Sequence, residues 1–137
     1  MAQQTSVDRA AANAASIRRG YDAFARADLA GATSDFGPGI EWHLYGTGRI
    51  AGTYRGIGDV TEFLRQLAIL SGGTFRMEVL DILASEQEAM ANVHVSAERL
   101  DRTYSSHQVH LFRYQGAQVV EVWQFVSDTE ASAAFWA

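Results

Sequence analysis

Four histidines, His43, His94, His107 and His110, are the side chains of this 137-residue chain best suited to moving a proton near neutral pH. His107 and His110 stand three apart in a stretch rich in β-branched and aromatic residues. In a strand that spacing sends their rings to opposite faces. His43 lies in a different segment. No metal-ligand cluster is therefore expected. The absence of cysteine removes disulfides, a thiolate nucleophile and thiolate-held metal. Tyr21 and Tyr54 supply hydroxyls that can donate to a ligand. Gln124 supplies an amide that can orient a ligand carbonyl or satisfy a buried histidine.

The length fits one domain, residues 1–137, with enough chain for a real core. Net charge is −5 and no Lys/Arg run occurs, so neither nucleic acid nor an anionic membrane is expected as a partner. Apolar runs are shorter than a membrane span, and the start lacks a basic-then-apolar leader pattern. A cytoplasmic location is expected by default.

Val7, Ala10, Ala14, Ile17, Tyr21 and Phe24 recur at spacings of three and four and predict a first helix, with Thr5 or Ser6 to cap it. Asp28 is placed to cap a short second helix carrying Leu29, Ala32 and Phe36. Gly37-Pro38-Gly39 then predicts a turn, Ile40 to Tyr45 a strand, and Gly46 to Gly58 a glycine-rich loop. A third helix is expected from Asp59 to Ser71, with Asp59 and Glu62 as a capping box. Four strands follow: 74–85, 89–100, 103–115 and 118–126. Their short connections imply an antiparallel meander. A second capping box, Ser127 with Glu130, precedes a C-terminal helical turn ending in Phe135-Trp136. Helices and strands segregated in this way mean α+β.

A turn at Asp101-Arg102 would set Val95 opposite Gln108 and Val93 opposite His110. One face of that hairpin carries Val93, Val95, Ala97, Ser106, Gln108, His110 and Phe112. The other carries His94, Ser96, Glu98, His107, Val109 and Leu111. Both hold apolar residues, so alternation alone leaves the buried face open.

Several segments taken in order carry a resemblance. They are Tyr21-Asp22-Ala23-Phe24 with Asp28-Leu29, Gly52-Thr53-Tyr54-Arg55-Gly56 and Gly73-Thr74-Phe75-Arg76. Val109-His110-Leu111-Phe112-Arg113, and Glu121-Val122-Trp123 leading to Asp128, complete the set. With these the chain resembles the nuclear transport factor 2-like superfamily, and within it the SnoaL-like and ketosteroid isomerase-like proteins, over nearly its whole length. The resemblance implies a cystatin-like cone: a curved antiparallel sheet with three N-terminal helices across its concave face. It also implies a pocket at the open end and a common homodimer. It places His110 where the isomerases carry an acid that hydrogen-bonds the substrate oxygen. Gln124 stands where SnoaL-like cyclases carry a catalytic Asp. Leu44 replaces the isomerase base, and Gly20 aligns with the isomerase tyrosine, one residue from Tyr21. The Asp-Arg-Asp water activation known in the superfamily finds Arg99, with Asp81 or Glu98, but no inward Asp placed to complete it.

If chemistry occurs, the resemblance implies acid–base work without metal or organic cofactor. His110 would handle the proton, with Gln124 and Tyr21 as orienters. Trp42, Leu44, Tyr54, Phe63, Met77, Val95, Gln108, Phe112 and Val122 are the expected lining for a small apolar ligand of polyketide, terpenoid or steroid type. On the last strand Val120, Val122, Gln124 and Val126 should face inward. Trp123, Phe125, Val109 and Leu111 should form an outer apolar face suited to a homodimer. The missing carboxylates keep two alternatives open: a binding module without chemistry, and a dimeric interaction domain with a vestigial pocket.

Overall fold

A computed structural model describes residues 6–137. The elements are α1 (Ser6–Ala25), α2 (Leu29–Ala32), β1 (Phe36–Leu44), β2 (Gly52–Arg55), α3 (Gly56–Leu70), β3 (Arg76–Ala84), β4 (Glu88–Arg99), β5 (Arg102–Gln115), β6 (Gln118–Val126) and α4 (Thr129–Trp136). The six strands form one curved sheet in the order β2-β1-β6-β5-β4-β3. β3 to β6 make the expected meander. β1 returns to pair parallel with β6, so the sheet is mixed rather than wholly antiparallel. α3 packs on β1, and α1 packs on β3 and β4. Against them lies the concave face, where Ile40, Val93, Val95 and Val122 lose all contact with solvent.

The local signals hold in part. The Asp28 carboxylate accepts from the Gly31 N–H at 2.9 Å and starts α2, while Phe36 belongs to β1. Gly37-Pro38-Gly39 makes no turn. It lies inside β1, where the pairing to β6 slips between Phe36 and Glu41. Proline is tolerated at such an irregularity because no ladder donor is needed there. Part of the expected loop forms β2, antiparallel to β1. α3 begins three residues early, at Gly56, whose φ of +84° suits glycine. Asp59 then sits in the first turn, where its charge favours the helix N-terminus. Glu62 bonds Arg65 and Gln66 instead of closing a capping box. At α4 the cap is Asp128, not Ser127, and its carboxylate accepts from Ala131 N–H at 3.0 Å. Of the two expected caps, Thr5 lies outside the described residues and Ser6 is already the first residue of α1.

The β4–β5 turn falls at Leu100-Asp101, with Leu100 at φ +56° and 84% exposed. Val93 therefore pairs with Gln108, and Ala91 with His110, two residues from the expected register. A slip of two preserves the faces, since the strand period is two. Val93, Val95, Ala97, Ser106, Gln108, His110 and Phe112 are all buried, as one face. On β6 a bulge between Tyr114 and Arg113 turns Val119 inward and takes Val120 off the buried row.

α4 closes the sheet's lower end. Arg102 donates to the carbonyls of Ala134 and Phe135, and Arg99 to that of Ala137. Arg99 is thereby occupied at the end of α4, not beside an inward Asp. Phe135 stacks on Tyr104, and Trp136 packs against Phe75. Trp136→Ala should cost about 3–5 kcal/mol in urea unfolding, whereas Val7→Ala, at a site 76% exposed, should change stability by less than ~0.5 kcal/mol. Equal effects would contradict this placement of the core.

Candidate functional site

Four side chains on the concave face and one from α1 make one hydrogen-bonded chain. Trp42 Nε1 lies 3.0 Å from Gln124 Oε1, and Gln124 Nε2 lies 2.8 Å from Gln108 Oε1. His110 Nε2 lies 3.0 Å from the same Gln108 oxygen, and His110 Nδ1 lies 2.6 Å from the Tyr21 hydroxyl. The strand pattern builds it: Gln108 and His110 alternate along β5, Gln124 stands beside His110 on β6, and Trp42 lies on β1. Tyr21 reaches down from α1.

The polarity of this chain follows from chemistry. An indole N–H can only donate, so Gln124 presents its oxygen to Trp42 and its NH2 to Gln108. The Gln108 oxygen can only accept, so His110 must carry its proton on Nε2. Burial disfavours the imidazolium and pushes the His110 pKa down to about 3, so the ring is neutral near pH 7. Nδ1 is then a bare lone pair, and the Tyr21 hydroxyl donates to it. Burial also raises the Tyr21 pKa well above its ordinary value, so the phenol keeps its proton.

The residues expected to act together do meet. Tyr21 touches His110 directly, but Gln124 reaches it only through Gln108, which sequence reasoning had placed merely in the lining. Trp42, Met77 and Phe112 border a narrow cavity of about 50 Å³ together with Tyr21. Ile17, Phe24, Leu64 and Tyr114, which were not expected there, border it too. That space suits a water-sized group or one ligand substituent. Leu44, Val95 and Val122 are packed in the core and border none of the described cavities. Tyr54 stacks on Phe63, and both edge a separate cleft of about 320 Å³ beside α3.

Tyr21, Phe24 and Met77 also border a larger cleft of about 540 Å³. The end of α1, the end of α3 and the start of β3 bound it. Its walls include Leu29, Ala68, Ile69 and Phe75, with Arg26, Arg65 and Arg76 among them. Its volume lies within the range of roughly 300–1,000 Å³ typical of small-molecule sites. Tyr21 thus joins cleft to core: it is half-buried, and its hydroxyl is tied to a sealed histidine.

At the far side of the narrow cavity lies a carboxylate that sequence reasoning missed. Asp35 accepts from Ser16 Oγ at 2.7 Å and from Arg19 at 3.2 Å. Ser16, its hydrogen spent, accepts from the Tyr114 hydroxyl at 2.8 Å. Asp35 follows α2 with no periodic signal to mark it. Among the described residues, no group of three or more His, Asp or Glu is arranged to hold a metal ion, and no helix is long and apolar enough to cross a membrane.

A curved sheet covered by helices, with an interior polar chain, defines the architecture of a cystatin-like, nuclear transport factor 2-like protein. The chain belongs to the SnoaL-like domain family, whose model matches residues 17–122. It is 30% identical over 122 residues to an uncharacterized protein of Mycobacterium tuberculosis, covering 88% of this chain and 93% of that one. Bal32a, from a soil-derived mobile gene cassette, superposes with a TM-score of 0.91 at 28% identity, covering 94% of this chain and 99% of Bal32a. A protein of unknown function with a cystatin-like fold from Xanthomonas campestris superposes at 0.80 and 28% identity, covering 90% and 96%. TerC, crystallised with polyporic acid, superposes at 0.80, covering 91% and 98%; at 20% identity that likeness is one of fold.

Two outcomes follow from the polar chain. Trp42→Phe strips the donor from Gln124 and should cost about 1–3 kcal/mol of stability, the penalty for an orphaned buried acceptor; a loss under ~0.3 kcal/mol would contradict the chain. His110 titrates near 6.5 in the unfolded chain and near 3 when folded. Between those values the unfolded state binds the extra proton, so stability falls as pH drops through this window, by up to ~1.4 kcal/mol per pH unit. Unfolding free energies measured from pH 7 to 4 should show that slope, and His110→Gln should flatten it.

Proposed function

We propose that this SnoaL-like domain binds a small, largely apolar molecule in the 540 Å³ cleft, with Tyr21 at the junction between ligand and polar chain. The observation that carries this reading is the cleft itself, whose floor of Tyr21, Phe24 and Met77 is shared with the narrow cavity beneath. The small inner cavity and the mostly apolar walls support a ligand that lies in the cleft and sends one substituent inward. The co-crystallisation of TerC with polyporic acid supports ligand binding by this fold.

A second reading is cofactor-free acid–base catalysis, with His110 handling the proton and Tyr21 and Gln124 orienting. The 2.6 Å Tyr21–His110 contact favours it, because a phenol and an imidazole that close can share a proton. Two features favour binding over it. The only lone pair of His110 is engaged by Tyr21, and its low basicity makes it a poor base near pH 7. If a substrate is found, His110→Ala should abolish turnover with folding intact; unchanged turnover would remove this reading.

The reading includes a homodimer through the outer sheet face. Register places Leu83, Met90, Leu111, Trp123 and His43 in one row across five strands. Tyr45 and Phe125, 51% and 45% exposed, stack beside it. An apolar row of this length offers a second copy a self-complementary surface.

Three measurements test these points. A ligand found by thermal-shift screening should raise stability with concentration, by ~2.7 kcal/mol at a hundred times its Kd. Met77→Trp, which fills the cleft floor, should remove that rise; an undiminished rise would place the ligand elsewhere. In sedimentation at micromolar concentration the protein should run at twice its 15.0 kDa chain mass, and Phe125→Glu should run at 15.0 kDa. A wild-type monomer would contradict the interface.

A further inference from the structure

The three arginines of the cleft are its most distinctive chemistry. In a chain with net charge −5, Arg26, Arg65 and Arg76 border one cleft, and no Asp or Glu is among the described residues that line it. They come from three places that meet only in the fold: the loop after α1, the last turns of α3 and the first residue of β3.

Their hydrogen bonds leave most of their donors unspent. A guanidinium has five N–H groups. Arg76 donates from one nitrogen, Nη1, to the carbonyls of Gly73 and Phe75, at 2.8 and 2.9 Å, which pins one edge of its guanidinium, and among the described residues no carboxylate pairs with it. Arg65 Nη1 pairs with Glu62 one turn back. Arg26 lies 3.9 Å from Asp28, beyond hydrogen-bond reach.

The surrounding field sets what these groups can do. α1 and α3 both end at this cleft, each with about half a negative charge at its C-terminus. Asp28 and Glu62 stand beside two of the arginines. These charges offset most of the cationic field, so the cleft is no long-range anion funnel. What remains is a set of unspent guanidinium donors bordering an apolar wall. That combination matches a carboxylate, which accepts two parallel N–H bonds from a guanidinium fork.

We infer that the cleft recognises an apolar carboxylic acid, its acid group held among Arg26, Arg65 and Arg76 and its hydrocarbon body lying on Phe24, Phe75 and Met77. This rests on the cleft being the ligand site and names the class of ligand it takes. A neutral molecule of the same shape keeps the apolar contacts and loses the charge-assisted bonds. The acid should therefore bind about tenfold more tightly, roughly one good bidentate pair at an open site.

The test compares 9-anthracenecarboxylate with the neutral 9-anthracenemethanol by fluorescence titration of the full chain. The acid should bind about tenfold more tightly than the alcohol. Arg76→Gln should weaken the acid at least about fivefold and leave the alcohol within about twofold. Arg65→Gln, on the exposed side of α3, should act in the same sense, and thermal unfolding checks that both variants remain folded. Equal affinity of the two probes, or equal loss for both in the variants, would overturn the carboxylate assignment and leave the cleft as a ligand site. Binding of neither probe would overturn the inference through its premise, that the cleft is a ligand site. Binding of the acid that survives Met77→Trp undiminished would do the same.

Discussion

The indole N–H of Trp42 has one thing it can do, which is donate, and it does so inside a sealed face. From that constraint Gln124 turns its oxygen to the indole and its NH2 to Gln108, which receives a second donor from His110; burial keeps that ring neutral and leaves a bare Nδ1 for the Tyr21 hydroxyl. A buried polar group without a partner costs about 1–3 kcal/mol, so an alternative arrangement would strand several such atoms. The concave face thus carries a fixed, uncharged polar seam through an otherwise apolar core. Charge is kept out of it, and the ionised groups near the ligand spaces lie at their margins, at Asp35 and at the cleft arginines.

That division of labour bears on the proposed reading. Catalysts that work on carbon acids place a carboxylate where it can ionise and a donor where charge will develop. Here the interior offers a neutral imidazole already engaged at both nitrogens. The cleft above it is large, apolar and fringed by donors. A molecule lying there meets the seam only at Tyr21. The proposed ligand would rest against that residue.

The fold was largely legible because its signals are periodic. The α1 stripe, the alternation in β4 to β6 and the short connections each have a physical cause that survives packing. The choice of buried face needed the resemblance, since both faces of the β4–β5 hairpin carry apolar residues. Misreadings cluster where one residue's conformation decides the outcome. Leu100 takes a positive φ that leucine disfavours, which moved the hairpin register by two. Gly37-Pro38-Gly39 reads as a turn but sits in an irregular strand. The bulge opposite Tyr114 exchanges Val120 for Val119. Site residues on regular elements, Tyr21, His110, Gln108 and Gln124, were within reach. The cleft arginines and Asp35 were not, because the approach of elements distant in sequence leaves no periodic trace.

The central claim is the state of His110, and the imidazole nitrogens report it directly. Two-bond proton–nitrogen correlation spectra should show a neutral ring protonated on Nε2, with no conversion to imidazolium from pH 7 down to about 5. An Nδ1-protonated ring, or an imidazolium already present near pH 6, would contradict the polar chain as oriented here and return His110 to the role of a working base.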